Sequence, residues 1–248
     1  MFKYKFGKLP KKTDKRTLKF KSYLTSILPA PPIEYSAIKR VCENLNIPYD
    51  STGFSKLFPL DGNDTLGDCT IAALSHAITV YRGLIKQNKI LPENDVTSLY
   101  MKLANGQDTG LAELDVLNYW KSNPVADDEI LAYVYVDHTN HNEVKQAISL
   151  FGGVYTGINV QENAIEDFDA GNCWTPGTLT GDGHAIFTAA YDPITVSVIT
   201  WGNTQLGTWE WWDQCVEEAY VILPPEAQTE GFTPGFNFEQ LKEDLSKL

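Results

Sequence analysis

The run Asn63-Asp64-Thr65-Leu66-Gly67-Asp68-Cys69-Thr70-Ile71-Ala72-Ala73-Leu74 constrains this chain more than any other segment. Its first half is polar, glycine-containing loop and cap chemistry. Its second half opens a helix whose apolar positions Ile71, Leu74, Ile78, Tyr81 and Ile85 are spaced by three and four, which predicts a buried helix from Cys69 to about Gln87. A lone cysteine therefore sits in a first helical turn. Unpaired N–H groups and the helix dipole favour a thiolate there, the form of cysteine that attacks carbonyls. Asp68 opposes this, because a carboxylate beside the sulfur raises the thiol pKa by like charge.

The chain of 248 residues is long enough to bury a sizeable core. Around the Cys69 helix, further helices are predicted over Ser36–Asn46, Pro92–Ala104 and Leu111–Lys121. The pattern then changes. Strands are predicted over Glu129–Asp137, Gly153–Asn159, His184–Tyr191, Thr195–Trp201 and Ala219–Leu223, with one more helix over Asn142–Leu150. The expectation is an α+β chain in four parts: an extended basic arm (1–33), a helical subdomain with Cys69 (34–127), a strand-rich subdomain (128–223) and a tail (224–248) that ends in a short amphipathic helix, Phe238–Leu248.

Charge divides the chain unevenly. Residues 1–25 hold nine Lys/Arg and one acid, so a net charge of −12 leaves −20 on the rest. An acidic body argues against a nucleic-acid partner, and the basic arm is expected to lie across that body. No apolar run is long enough to span a bilayer and no secretory leader is visible, so a cytoplasmic protein without a transmembrane segment is expected, with association with a phage or a larger assembly as the alternative. Cys42, Cys69, Cys173 and Cys215 show no metal-ligand spacing, and reduced thiols are the default, with a Cys173–Cys215 bridge left open. Trp201, Trp209, Trp211 and Trp212 crowd one stretch and read as core indoles before they read as a sugar platform.

A cysteine nucleophile needs a base, a group that orients the base, and donors for the oxyanion. His76 lies seven residues beyond Cys69 on the same helix, about 10 Å away at 1.5 Å per residue, too far to take the thiol proton. His138 and His141 flank a polar turn with one carboxylate, a poor metal site. His184 follows Gly181-Asp182-Gly183 and opens the apolar run Ala185–Tyr191, a rigid strand-mouth position suited to a base. The next strand ends in Thr200-Trp201-Gly202-Asn203, where an amide could orient the imidazole.

In order and spacing these parts resemble the papain-like cysteine peptidases across roughly residues 28–223. Leu28-Pro29 to Tyr35 resembles that family's mature N-terminus. Asn63 stands six residues before Cys69, where the family places its oxyanion glutamine, and Gly67 matches a family glycine. Cys69-Thr70-Ile71-Ala72-Ala73 is similar to Cys-Trp-Ala-Phe-Ser, with Thr70 in place of the tryptophan. Tyr100 to Trp120 resembles the second helical stretch, and Val144–Gly157 the segment before the catalytic histidine. Gly183-His184-Ala185-Ile186 is similar to Asn-His-Ala-Val, Thr200-Trp201-Gly202 to Asn-Ser-Trp-Gly, and Glu218–Ile222 to the closing Gly-Tyr-x-x-Ile strand.

The resemblance implies a papain-like fold, with the nucleophile helix packed on an antiparallel, barrel-like sheet. It implies a thiol hydrolase acting on peptide or protein substrates through Cys69 and His184, with no cofactor or metal. Asn63 is one methylene shorter than the family glutamine, and a donor misplaced by about 1 Å costs on the order of 10²-fold in rate. Held in register on Trp201-Gly202, the family's orienting asparagine falls on Ile199. Either Asn203 substitutes for it, or backbone and Trp201 alone hold the imidazole. The family's extra cysteine pairs are missing, which fits a non-secreted member. Two other functions share the pattern: a non-catalytic binding or structural module, and acyl transfer of the deamidase or transglutaminase kind. The arm suggests targeting or a pro-segment, although it is short for an inhibitory pro-domain of this family.

Overall fold

The fold is that of a computed structural model, which describes residues 3–26, 28–228 and 235–248. Ile27, the first two residues of the expected arm and positions 229–234 of the expected tail lie outside the described residues.

The first half is helical. After β1 (Tyr35–Ser36) come α1 (Ala37–Leu45), α2 (Ser51–Leu57), α3 (Cys69–Leu84), α4 (Glu93–Leu103) and α5 (Glu113–Ser122). Their ends follow local chemistry. The Ser36 hydroxyl accepts from Lys39 N–H at the start of α1, and Asn46 takes the left-handed conformation that ends it. Asp50 caps α2 through the N–H groups of Thr52 and Gly53, and Pro92 precedes α4, where a missing N–H costs nothing. Nearly every residue of α3 is buried, so it is a central helix rather than a surface one.

The second half is a seven-stranded antiparallel sheet of β2 (Ala132–Tyr135), β3 (Val154–Gln161), β4 (Leu179–Tyr191), β5 (Thr195–Thr200), β6 (Asn203–Thr208) and β7 (Val216–Leu223), with β1 joining the far end of β4. The order is β2-β7-β3-β4-β5-β6. The barrel-like closure expected from the sequence is not formed: β2 and β6 lie at opposite ends of this path. Helices α6 (His141–Phe151), α7 (Ala164–Ala170) and α8 (Trp209–Cys215) attach to the strands, and α9 (Phe238–Leu245) follows the gap. The structure adds β1, α2, α7, α8 and β6 to the elements expected from the sequence.

Two apolar cores flank the sheet. One lies among α1, α3, α4, α5 and residues of β3 and β4, the other among α6, α8 and the opposite side of the strands. The junction is fastened at the head of α3, where the Tyr155 hydroxyl of β3 donates to the Thr70 carbonyl at 2.7 Å. The clustered indoles are core. Trp211 and Trp212 are fully buried, with N–H groups given to Gln161 and to the His138 carbonyl. The Cys173–Cys215 bridge is not formed, and all four cysteines are free.

Candidate active site

Cys69 and His184 come from opposite halves of the chain, and the backbone beside His184 reaches Cys69 at the seam. Cys69 is the first residue of α3, and His184 lies in β4 opposite Ile158 of β3. Both side chains are buried at 1% exposure. The N–H of Ala185, the residue after the histidine, acts on the Cys69 sulfur, and so does the N–H of Gly7 from the arm. Desolvation nevertheless dominates: it pushes the Cys69 thiol up to about 12, with Asp68 and Glu113 adding like charge. Burial also lowers His184 to about 3, with His76 adding to the shift, so thiol and imidazole are both neutral in this state. The thiolate that the helix dipole favours is outweighed by loss of solvent.

The imidazole is oriented by a hydroxyl. Nε2 of His184 lies 2.8 Å from Oγ1 of Thr200, and Nδ1 is buried with no hydrogen-bond partner. Thr200 is not among the residues expected from the sequence. Strand β5 ends at Thr200, which pairs with Asn203 across a two-residue turn made by Trp201 and Gly202. Both turn residues have positive φ (46° and 79°), the requirement of a type I′ hairpin. Asn203 itself is turned away, its Oδ1 accepting from the N–H of Thr204 at 2.8 Å. Neither Asn203 nor Ile199 therefore meets the ring. The readable signal was the turn: with Trp201-Gly202 as its two central residues, the last strand position before it is Thr200. The turn also sets the Trp201 indole on the imidazole, with ring centroids 4.8 Å apart and planes at 30°.

Asn63 is 2% exposed and fully engaged. Its Nδ2 donates to the carbonyls of Lys5 and Leu66 and to Oδ1 of Asp68, each at 3.2 Å. His76 acts electrostatically on His184, and its own Nε2 is 2.9 Å from the Pro59 carbonyl. Asp61 is 3.6 Å from the same nitrogen, but burial lowers His76 to about 4, so the two make no ion pair near neutrality. His141 pairs with Asp213 at 2.6 Å on the surface. Among the described residues no group of three His, Cys, Asp or Glu could hold a metal ion.

What closes the seam is the N-terminal arm, which lies across the acidic body and runs through the cleft. Lys5 N–H donates to the Asn63 carbonyl and Lys8 N–H to the Gly183 carbonyl. Leu111 bridges the arm from the other wall: its N–H donates to Gly7 and its carbonyl accepts from Leu9, a parallel pairing. Gly7 is pinched between Gly67 and Gly110. A Cβ at position 7 would stand 1.8 Å from the Gly67 carbonyl oxygen, and one at Gly110 2.2 Å from the Gly7 oxygen. The pinch is braced from behind. Asp108 accepts from Gly67 N–H and from the Tyr100 hydroxyl, which itself accepts from Gly110 N–H. Tyr4 stacks on Trp201 at 4.7 Å with the planes 6° apart. Farther along, Phe20 and Tyr23 are buried in the strand-side core and anchor the arm's base.

The chain matches no protein-family model and no curated protein by sequence. Solved structures do match. Xylellain, a cysteine protease from Xylella fastidiosa, superposes with a TM-score of 0.67 at 15% identity over 89% of this chain and 96% of its own. Digestive procathepsin L 3 of Tenebrio molitor gives 0.56 at 10% identity, over 89% of this chain and 76% of its own. The Carica candamarcensis cysteine protease in complex with E-64 gives 0.54 at 10% identity, over 77% and 98%. The chain has the papain-like fold.

Proposed function

We propose that this protein is a cysteine peptidase whose cleft is closed by its own N-terminal arm. The observation that supports the reading is at the seam: the N–H of Ala185, the residue that follows His184, acts on the Cys69 sulfur, and Nε2 of His184 is held by Thr200. With the arm lifted and water admitted, the desolvation that keeps both groups neutral falls away. The thiol proton passes to Nδ1, and the sulfur attacks a peptide carbonyl carbon. The Cys69 N–H and the Asn63 amide, released from Lys5, stabilise the resulting oxyanion. The imidazolium then gives its proton to the departing amine, leaving a thioester that water hydrolyses. Solved structures of the same fold are those of cysteine proteases, which supports the same chemistry here.

The experiment is covalent labelling by the epoxide E-64 of the full-length chain carrying Gly7→Val, which the Gly67 carbonyl would force out of the cleft. Labelling of this variant, lost on adding Cys69→Ala or His184→Ala, is the expected result. The second reading, a non-catalytic module, is favoured by one observation: in the closed state Cys69 titrates at about 12 and Asn63 has no free donor. An opened cleft that E-64 leaves unlabelled would decide for the module.

A further inference from the structure

Lys8 is the most unusual residue of the arm. Its side chain is 0% exposed, yet it carries the charge of a surface residue. Nζ lies 3.0 Å from a carboxylate oxygen of Glu217 and 3.0 Å from one of Glu218. Glu113, at the head of α5, is the third acid of the pocket. It is fully buried, and neither of its carboxylate oxygens has a hydrogen-bond partner. Desolvation pulls the Lys8 pKa down, but Glu113 and Glu218 outweigh it and the net shift is upward. Three carboxyl groups thus act on one ammonium; burial and Glu218 push Glu113 well above the usual carboxylate range, and the pocket without Lys8 leaves Glu217 and Glu218 without their cation.

The sheet shows how the pocket is built. Glu218 of β7 pairs with Gly157 of β3, and Gly157 pairs with Ala185 of β4, whose N–H acts on the Cys69 sulfur. The acidic pocket is therefore in the same cross-strand row as the seam. Gly157 is what gives it depth. A Cβ there would stand 2.1 Å from Cε of Lys8 and 2.9 Å from Cδ, so the absent side chain is the channel for the lysine stem. Backbone on both walls, Gly183 and Leu111, holds whatever strand threads through. None of this is specific to an arm in cis. It is a groove with main-chain partners and one deep pocket of defined sign.

We infer that the Glu113–Glu217–Glu218 pocket selects substrates with a lysine or arginine side chain, on the residue adjacent to the one that meets the Cys69 sulfur, and that Lys8 occupies it as a substrate-like plug. This rests on the peptidase reading for its use but not for its test. Binding is read on the full-length chain carrying Gly7→Val and Lys8→Ala, which frees the groove and empties the pocket. The probes are fluorescein-labelled Phe-Gly-Lys-Leu and Phe-Gly-norleucine-Leu amides, followed by anisotropy. The lysine peptide is expected to bind at least tenfold more tightly, a preference that Glu218→Gln or Gly157→Ala reduces below threefold. Equal affinities, or no binding of the lysine peptide, overturn the inference. Binding needs no reactive thiol. A protein that prefers the lysine peptide tenfold yet never reacts with E-64 loses the peptidase reading alone. One that reacts with E-64 but binds both peptides equally loses the pocket alone.

Discussion

The Thr200 hydroxyl stands 2.8 Å from Nε2 of His184, in the place where a side-chain amide was expected. For Nδ1 to receive a thiol proton, Nε2 must carry the other hydrogen and donate it to Thr200. Replacing Thr200 with Val keeps the shape and leaves that N–H buried without an acceptor, at a cost of about 1–3 kcal/mol. Thr200→Val in the opened Gly7→Val chain is expected to slow E-64 labelling by at least tenfold, and Thr200→Ser to stay within threefold of Thr. If Val and Ser label alike, the hydroxyl does not position the ring.

Arm release has its own signature. In the closed chain, Cys69 titrates near 12 because solvent is excluded. Iodoacetamide, which needs the thiolate, should therefore alkylate the wild-type protein slowly at pH 7, with a rate still climbing at pH 10. Gly7→Val should raise the neutral-pH rate at least tenfold and bring the rate to its plateau at lower pH. The base of the arm should hold throughout, since Phe20 is fully buried and packs edge-on against Phe151 at 6.0 Å. Phe20→Ala is expected to cost about 3–5 kcal/mol in urea unfolding. Coincident alkylation profiles for wild type and Gly7→Val would show that the arm does not gate the sulfur.

Asn63 is asked to do two things, and they separate experimentally. Closed, its amide ties the Lys5 carbonyl to the loop before α3. With the arm lifted, the amide loses its Lys5 acceptor and keeps Leu66 and Asp68, and the proposed mechanism asks it to turn one hydrogen to the oxyanion. Asn63→Ala should loosen the closed arm, raising alkylation of the full-length wild-type background. In the opened background it should lower peptide turnover by about 10²-fold, the loss typical of one missing oxyanion donor. A variant that alkylates faster and turns over undiminished would assign Asn63 to the arm alone.

How much of this was legible in the sequence depended on the range of the interactions. The Cys69 helix was readable because its apolar spacing is local and starts at the cysteine, and the structure ends it only three residues short, at Leu84. The Trp209–Cys215 helix was not, because three indoles within four residues obscure any periodicity. Thr200 was displaced from view by a register of one residue. The family pattern pointed to Ile199 and to Asn203, whereas the positive φ of Trp201 makes it a turn residue and Thr200 the last of the strand. The acidic pocket was the least visible element. Lys8, Glu113 and Glu218 are far apart in sequence, and only the pairing of Gly157 with both Glu218 and Ala185 brings the pocket to the sulfur.

The buried carboxylates behind the cysteine make the last prediction. Asp68 and Asp61 are fully buried, and desolvation raises them to about 8 and about 7. A raised acid binds more protons folded than unfolded, so each contributes stability that is present below about pH 4 and lost as pH rises toward its folded value. His76 and His184, lowered to about 4 and about 3, act in the opposite sense, and their contribution is complete above about pH 6.5. Between pH 6.5 and 8.5 the raised carboxyls, joined by the raised thiols near the top of the interval, make wild-type stability fall. Asp68→Asn keeps an acceptor for the Asn63 amide and removes the ionisation. Its stability relative to wild type should therefore grow over that interval by about 1–2 kcal/mol, read from urea midpoints at the two pH values. The same substitution removes the like charge that appears beside the Cys69 sulfur once Asp68 ionises, and should speed its alkylation above about pH 8. A difference that stays constant from pH 6.5 to 8.5 would mean that Asp68 is already ionised in the folded chain, and that its charge is part of what holds the sulfur protonated.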